Sequence, residues 1–194
     1  MPKRIILFLA IALGCLALDQ GTKVWARRAL GPREYSTVKK VIPGYFELRL
    51  AYNTGAAFSM GRNKPWTPYV LTVIGLGAVT ALSIFAWRSK DGQRALQVGL
   101  GMLAGGAIGN ILDRLLHGKV TDFVVWKYGK HEWPAWNIAD AVLLVGVGVL
   151  LIAWPRDEVA DAKAKAAKAA KAETKPQAKS QAESQAETDS KAKA

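Results

Sequence analysis

The chain has 194 residues and a formal net charge of +12, and about half of it is hydrophobic, yet its mean hydropathy is only +0.08. That average conceals two halves: residues 1–155 hold every long apolar run, whereas residues 156–194 are almost entirely Ala, Lys, Glu, Gln, Ser and Thr and carry 9 basic against 7 acidic residues. The basic excess therefore belongs to the apolar part, where anionic lipid headgroups rather than nucleic acid are the expected partner. The single cysteine, Cys15, excludes an internal disulfide and a thiolate cluster. His117 and His131 have no partner at ligand spacing. His131-Glu132 opens like a zinc-protease motif, but no second His follows where one is required, so neither metal nor cofactor is expected.

In chain order, the first long apolar run is Ile5 to Trp25, which begins with 14 uncharged residues and then takes in Asp19 and Lys23. Met1-Pro2-Lys3-Arg4 before it also has the form of a signal peptide, and Ala12-Leu13-Gly14-Cys15 loosely that of a lipoprotein cleavage box. An Ala in place of Leu at the third position before the Cys, and three further runs, favour a span that stays in the membrane. The stretch 26–67 is polar, with Phe46, Leu48, Leu50 and Tyr52 alternating with Glu47, Arg49 and Ala51 after a Pro43-Gly44 turn. That period of two predicts a strand with one apolar face, part of a small sheet on the membrane surface. Tyr69 to Trp87, Ala95 to Leu112 and Ile138 to Trp154 are the remaining runs. Each approaches the roughly 20 residues of helix that a bilayer core needs. Soluble core helices are the alternative, but four such runs in 155 residues argue against it. Trp25, Trp87 and Trp154 end three of the runs, at the depth where amphipathic rings are favoured. Residues 115–136 read as a loop with three tryptophans at the interface.

The expected fold is an all-α membrane protein: four transmembrane helices over residues 1–155, a small extracytoplasmic β-sheet element, and a disordered, low-complexity cytoplasmic tail over 156–194. Four spans place both termini on one side. The basic 88–94 linker and tail favour the cytoplasm, although eight basic residues in the 26–67 loop oppose a simple count.

Carboxylates at the edges of such runs cost roughly 2.5–3.5 kcal/mol on insertion and mark functional sites by default. Asp19 interrupts the first run, Asp113 closes the third, Asp140 opens the fourth, and Asp122 lies between the last two. Asn110, Asp113 and Arg114 share one helix face at i, i+3 and i+4, as do Asp19 with Lys23 and Asn137 with Asp140. If the third and fourth runs are antiparallel neighbours, these groups gather at one membrane face, with Asn53 and Gly55 leading back to it. Residue by residue each could be only an interfacial polar group, and Asn137 only a helix cap.

These residues form a recognisable pattern. Asp19-Gln20-Gly21-Thr22-Lys23, Asn53-Thr54-Gly55-Ala56-Ala57-Phe58-Ser59, Gly105-Gly106-Ala107-Ile108-Gly109-Asn110-Ile111-Leu112-Asp113-Arg114, Val120-Thr121-Asp122-Phe123 and Asn137-Ile138-Ala139-Asp140 closely resemble, in order, the signature blocks of lipoprotein signal peptidase, or signal peptidase II. The resemblance covers about residues 5–155. It departs at Trp136-Asn137, where the family usually has Phe-Asn, and the tail lies outside the family core.

The resemblance implies an aspartic endopeptidase of the bacterial inner membrane, with Asp122 and Asp140 as the catalytic pair at the periplasmic face. Its substrates would be diacylglyceryl-prolipoproteins, cut just before the lipidated cysteine, and it would work as a monomer among membrane lipids. On residue chemistry alone Asp113 is as good a candidate as Asp122, but Arg114 beside it is expected to hold it ionised and structural. Asp122, in a loop without an adjacent base, suits a carboxylate that shares a proton. Asp19 and Asp113 would brace the site, while Asn53, Asn110, Arg114 and Asn137 orient carboxylates or substrate. The rival reading is a four-span transporter using Asp19 or Asp140 for proton coupling, although such carboxylates are expected near mid-membrane. A serine or thiol protease has no Ser-His pairing to support it.

Overall fold

In the computed structural model, residues 1–31, 33–55, 64–90 and 92–153 are described. Among the described residues, three helices are long and apolar enough to cross a membrane: α1 (Lys3–Ala29), α2 (Thr67–Arg88) and α3 (Arg94–His117). A fourth apolar helix, α4, covers Ile138–Ala153 and is shorter within the described residues. Three of the four expected spans thus reach membrane-crossing length among the described residues; α4 runs to the last of them, one residue short of the expected end at Trp154, and the 156–194 tail lies outside them. Pro68 sits in the first turn of α2, where its missing N–H costs nothing. Gly118, at φ 68°, ends α3 in the left-handed conformation that a side chain would strain.

α3 is the central helix: 61% of its most apolar window is buried, against 11% for α2. The face that α2 leaves uncovered carries Tyr69, Val73, Ile74 and Trp87, an apolar surface suited to lipid. α3 can be central because its glycines let neighbouring backbones approach. A Cβ on Gly101 would lie 2.8 Å from the Phe8 carbonyl oxygen, one on Gly105 2.5 Å from that of Ala12, and one on Gly106 2.8 Å from that of Ala139. The first two face α1 and the third faces α4. Small residues at membrane-helix contacts permit this closeness, which replaces the hydrophobic drive absent between helices in lipid. Gly105→Ala must separate α1 from α3 and is expected to cost about 1–3 kcal/mol or more. Gly14→Ala, with nothing within 4 Å of its Cβ, should be nearly neutral. Thermal unfolding in detergent compares them, and equal midpoints would refute the close-contact account.

Outside the helices lies a four-stranded antiparallel sheet in the order β1 (Val38–Ile42), β2 (Phe46–Asn53), β3 (Val120–Tyr128), β4 (His131–Glu132). The predicted strand is β2, and the turn before it uses Gly44 at φ 84°. Its apolar residues pack, with Phe123, Val124 and Trp136, against Ala26 and Leu30 at the end of α1. Phe46 stacks on Trp126 with ring centroids 4.9 Å apart. The loop expected over 115–136 is corrected here: half of it is β3 and β4, and its first three residues end α3. The first six residues of β3, Thr121 and Asp122 among them, are all buried, so the strand lacks the alternation that reveals a half-exposed strand. The loop assigned to Asp122 is thereby replaced by a strand position facing Ala51 of β2.

Candidate active site

The C-terminal part of α1 carries Asp19, Lys23 and Arg27 at four-residue spacing, on the face toward α3. Asp19 and Lys23 are wholly buried. Lys23 Nζ lies 2.9 Å from Asp19 Oδ2 and 3.3 Å from Asp113 Oδ2, and donates to Asn110 Oδ1 at 2.9 Å. Asp19 Oδ1 accepts the Ala139 N–H at 2.9 Å, which ties α1 to the first turn of α4. Gln20 Nε2 donates both to Asp19 Oδ2 (3.0 Å) and to the Gly109 carbonyl (3.1 Å). Asp113 Oδ2 accepts the Thr121 N–H at 2.8 Å, fixing the start of β3 to α3. Its other oxygen lies 3.6 Å from Arg27, which donates to Thr121 Oγ1 at 2.9 Å. Two carboxylates and two cations thus cancel within one buried cluster that holds α1, α3, α4 and β3 together.

The expected Arg114–Asp113 pair is corrected. Adjacent residues on a helix point in different directions, and Asp113 turns to Lys23 and Arg27 instead. Arg114 donates to the Asn110 carbonyl at 3.2 Å, and the carboxylates it feels are, in order, Asp140, Asp122 and Asp113.

Asp122 and Asp140 meet across the gap between sheet and helices. Asn137 starts α4 as its N-cap, its Oδ1 accepting the Asp140 N–H at 3.1 Å while Asp140 Oδ2 accepts the Asn137 N–H at 3.3 Å. This reciprocal capping box fixes the Asp140 carboxylate with no freedom to spare. The other Asp140 oxygen accepts from Asn110 Nδ2 at 2.9 Å. Asn137 Nδ2 reaches Asp122 Oδ1 at 2.6 Å and Asn110 Oδ1 at 3.2 Å. Asn137 is therefore both a cap and the link between the two carboxylates. Asn53 also hydrogen-bonds Asp122, and its Oδ1 accepts the Gly55 N–H at 2.9 Å. Ala56, Ala57, Phe58 and Ser59 of that block lie outside the described residues.

Asp122 is only 3% exposed. Burial first, and the negative charge of Asp140 second, push its carboxyl up to about 7, against the opposing hydrogen bonds of Asn137 and Asn53 and the charge of Lys23. Both carboxylates open onto a cavity of about 580 Å³, lined also by Asn53, Gly55, Asn110 and Arg114, with Trp133 and Trp136 on the sheet side. Asp19, Lys23 and Asp113 do not line it. At the mouth, Arg49 stacks 4.9 Å from the Tyr35 ring and pairs with Glu132. A cavity with two facing carboxylates, one near neutrality, can hold a shared proton and position a water for attack on a carbonyl.

Residues 11–155 match the sequence profile of the family described as signal peptidase (SPase) II. The chain belongs to the signal peptidase II family. Among similar proteins, one named lipoprotein signal peptidase from Xanthomonas campestris pv. campestris (strain 8004) is 36% identical over 148 residues, covering 75% of this chain and 87% of the relative. Another of the same name from Xylella fastidiosa (strain 9a5c) is 37% identical over 151 residues, with the same coverage. A solved structure described as a bacterial membrane enzyme determined by the in meso method at 2.3 Å superposes with a TM-score of 0.67 at 28% identity, covering 78% of this chain and 88% of that one. A second, at 1.9 Å, gives 0.65 at 27% identity.

Within this signal peptidase II chain, sequence reasoning missed Gln20, Arg27 and Thr121, which complete the buried cluster. Arg27 was within reach, since it continues the four-residue spacing of Asp19 and Lys23. Thr121 was not, because its role depends on β3 lying against α3. The mouth residues Tyr35, Arg49 and Glu132 come from three separate segments and carry no local signal.

Proposed function

We infer that this signal peptidase II chain removes signal peptides from prolipoproteins by aspartic chemistry. We propose that Asp122 and Asp140 perform the hydrolysis, that the substrates carry diacylglycerol on the cysteine just after the cut, and that no cofactor takes part. The observation that carries this reading is the placement of both carboxylates on one cavity, linked through Asn137, with the Asp122 carboxyl raised to about 7. Asp140, both of whose oxygens accept N–H donors beside Arg114, is the base. It takes a proton from a water between the carboxylates as the water oxygen attacks the scissile carbonyl carbon. Asp122 gives its proton to the carbonyl oxygen, which becomes a hydroxyl. Asp140 then returns its proton to the amide nitrogen, the C–N bond breaks, and Asp122 recovers a proton from the hydroxyl as the new carboxyl forms. Arg114 and Asn53 face the cavity and bind the peptide backbone. Asp19, Lys23 and Asp113 brace the pair from below.

Asp140 lies at the start of α4 and Asp122 beside it on β3, a level where a lipid-bearing cysteine would meet the headgroups. This supports a bilayer-edge site on the periplasmic face of a bacterial inner membrane, with α4 as a fourth span and both termini cytoplasmic. Asp19 is already ion-paired with Lys23, which does not suit the proton-coupling carboxylate of a transporter. One chain supplies both carboxylates, so the proposed chemistry needs no second copy.

Because Asp122 must hold its proton, kcat/KM should fall as pH rises through about 7. Cleavage of a diacylglyceryl peptide measured between pH 5 and 9 checks this, and activity constant to pH 9 would contradict it. Residues 156–194 form a tail without the apolar content for a core. Removing it from Val159 onward should leave cleavage and insertion unchanged. A truncated enzyme that inserts but cannot cut would overturn that separation.

A further inference from the structure

The cavity that holds the two carboxylates has an outer end that the proposed chemistry leaves unused. Three side chains from separate segments meet there: Tyr35 from the turn before β1, Arg49 from β2 and Glu132 from β4. Arg49 reaches the cavity through a bulge. Leu48 faces Val124 and Ala51 faces Asp122, so two residues of β2, Arg49 and Leu50, stand opposite one of β3. A bulge breaks the alternation of a strand and re-aims a side chain. Leu50 goes fully into the core, and Arg49 lines the cavity.

Tyr35 is the one described residue other than glycine with a positive φ, 58°. A backbone held in that region needs support from its surroundings. Here β2 supplies it: the Tyr35 N–H donates to the Leu50 carbonyl at 3.1 Å, and the neighbouring Glu34 carboxylate accepts the Tyr52 N–H. The ring is thereby set 4.9 Å from the Arg49 guanidinium, a cation–π distance. Glu132 pairs with Arg49 Nη2, and Lys127 ties Glu132 (3.5 Å) and Glu47 (2.7 Å) into the same frame. Arg49 Nη1 is left over. It lies 3.9 Å from Glu47 Oε2, beyond hydrogen-bond reach, and donates to no described residue. A guanidinium held by a ring and a carboxylate thus keeps an oriented donor to spare at the cavity wall.

Ala51 marks the level of Asp122 on β2, and Arg49 is two residues from it, about 7 Å of strand. An extended peptide held at the carboxylates covers that distance in about two residues. Glu47, Arg49, Lys127 and Glu132 would be costly in hydrocarbon, so this end of the cavity belongs to water and headgroups. The apolar segment of a signal peptide keeps to the helices. The part of a prolipoprotein that passes Arg49 is therefore the chain after the cut. We propose that Arg49 is a substrate-positioning residue. Its Nη1 donates to a main-chain carbonyl about two residues past the scissile bond, while Tyr35 and Glu132 hold the guanidinium for it. The inference rests on the peptidase reading and extends it from the cut to the segment that follows.

The test compares two peptides cleaved by the full chain in detergent. Both carry the same signal sequence and diacylglyceryl cysteine. One ends at that cysteine as its amide, and the other continues through four alanines, which offer main chain only. The wild type should cut the longer peptide with a KM about tenfold lower, the worth of one charge-assisted hydrogen bond. In Arg49→Gln that advantage should shrink to about twofold, with kcat on the longer peptide within about twofold of the wild type. Tyr35→Ala, which removes the ring and no charge, should reduce the advantage part-way, and it gives a second reading if loss of Arg49 prevents folding. A wild type that treats the two peptides alike would overturn the inference, as would an advantage that survives in Arg49→Gln. Equal losses of kcat on both peptides, with a lowered unfolding midpoint, would show a structural role instead. Failure of the wild type to cut either peptide would overturn the peptidase reading itself, which the other outcomes leave standing.

Discussion

Asp122→Asn is expected to abolish cleavage, by at least about 10³-fold in kcat/KM, and at the same time to raise thermal stability. The two effects have one cause. The Asp122 carboxyl titrates near 7 instead of near its ordinary value because it is buried against Asp140. A raised carboxyl binds its proton more tightly in the folded than in the unfolded state. Folding is therefore helped relatively at pH values below about 4, and that help is lost as pH rises through 7. Once Asp122 is fully ionised, the loss reaches up to about 4 kcal/mol. Asparagine keeps an oxygen for the 2.6 Å bond from Asn137 and removes the charge facing Asp140. At pH 8 the midpoint should rise by about 5 °C or more. Asp140→Asn should be equally inactive but not stabilised. Both Asp140 oxygens accept hydrogen bonds, from Asn110 and from the Asn137 N–H, and an amide offers only one acceptor. Cleavage assays with a diacylglyceryl peptide and thermal unfolding at pH 5 and pH 8 measure both. Residual turnover within tenfold of the wild type in either variant would remove that residue from the chemistry. An Asp122→Asn midpoint no higher than the wild type at pH 8 would show that Asp122 is not held under strain.

Lys23→Met is expected to be the most damaging single change outside the catalytic pair. The ammonium lies within 3.3 Å of two carboxylates that are themselves fully buried, and it donates to Asn110, which in turn holds Asp140. Removing one partner of such a cluster leaves uncompensated charge and costs roughly 3–5 kcal/mol. Arg27, 3.6 Å from Asp113, can compensate one carboxylate but not Asp19. Asp19→Asn added to Lys23→Met should therefore recover much of the stability, because the remaining Asp113–Arg27 pair is neutral. Activity should recover less than stability, since Asn110 Oδ1 still lacks the Lys23 ammonium and keeps only the longer bond from Asn137. Unfolding midpoints and turnover of the single and double variants give the comparison. A single variant as stable as the wild type would mean that the cluster is solvated, and a double variant no better than the single would mean that charge is not the cause.

Much of this molecule was legible in the chain. The apolar runs place the helices because a long uncharged segment has few alternatives to a helix in or near a bilayer. The alternation from Phe46 to Tyr52 announces β2, since one face of that strand is buried. Helical spacing pairs Asp19 with Lys23 and Asn137 with Asp140, because three- and four-residue separations fix neighbours on a helix whatever it packs against. Those are local rules, and the sequence by itself determined what they govern. The ordered blocks determined the family for the same reason: short motifs keep their residues together. What joins the motifs is not local. Strand β3 gave no local signal, since burial of its first six residues, polar and apolar alike, removes the alternation that betrays a strand. Asp113 turned from its neighbour Arg114 to Lys23 and Arg27, a choice between equal charges made by which helix faces which. Glycines at 101, 105 and 106 let α1, α3 and α4 approach to backbone contact, and only that approach brings Asn110 within reach of Lys23, Asn137 and Asp140 together. The raised carboxyl of Asp122 follows from burial beside a second negative charge contributed from another element. Only the tertiary structure decided these points, because burial and charge proximity are properties of the packed chain, whereas spacing along a helix or strand belongs to the sequence.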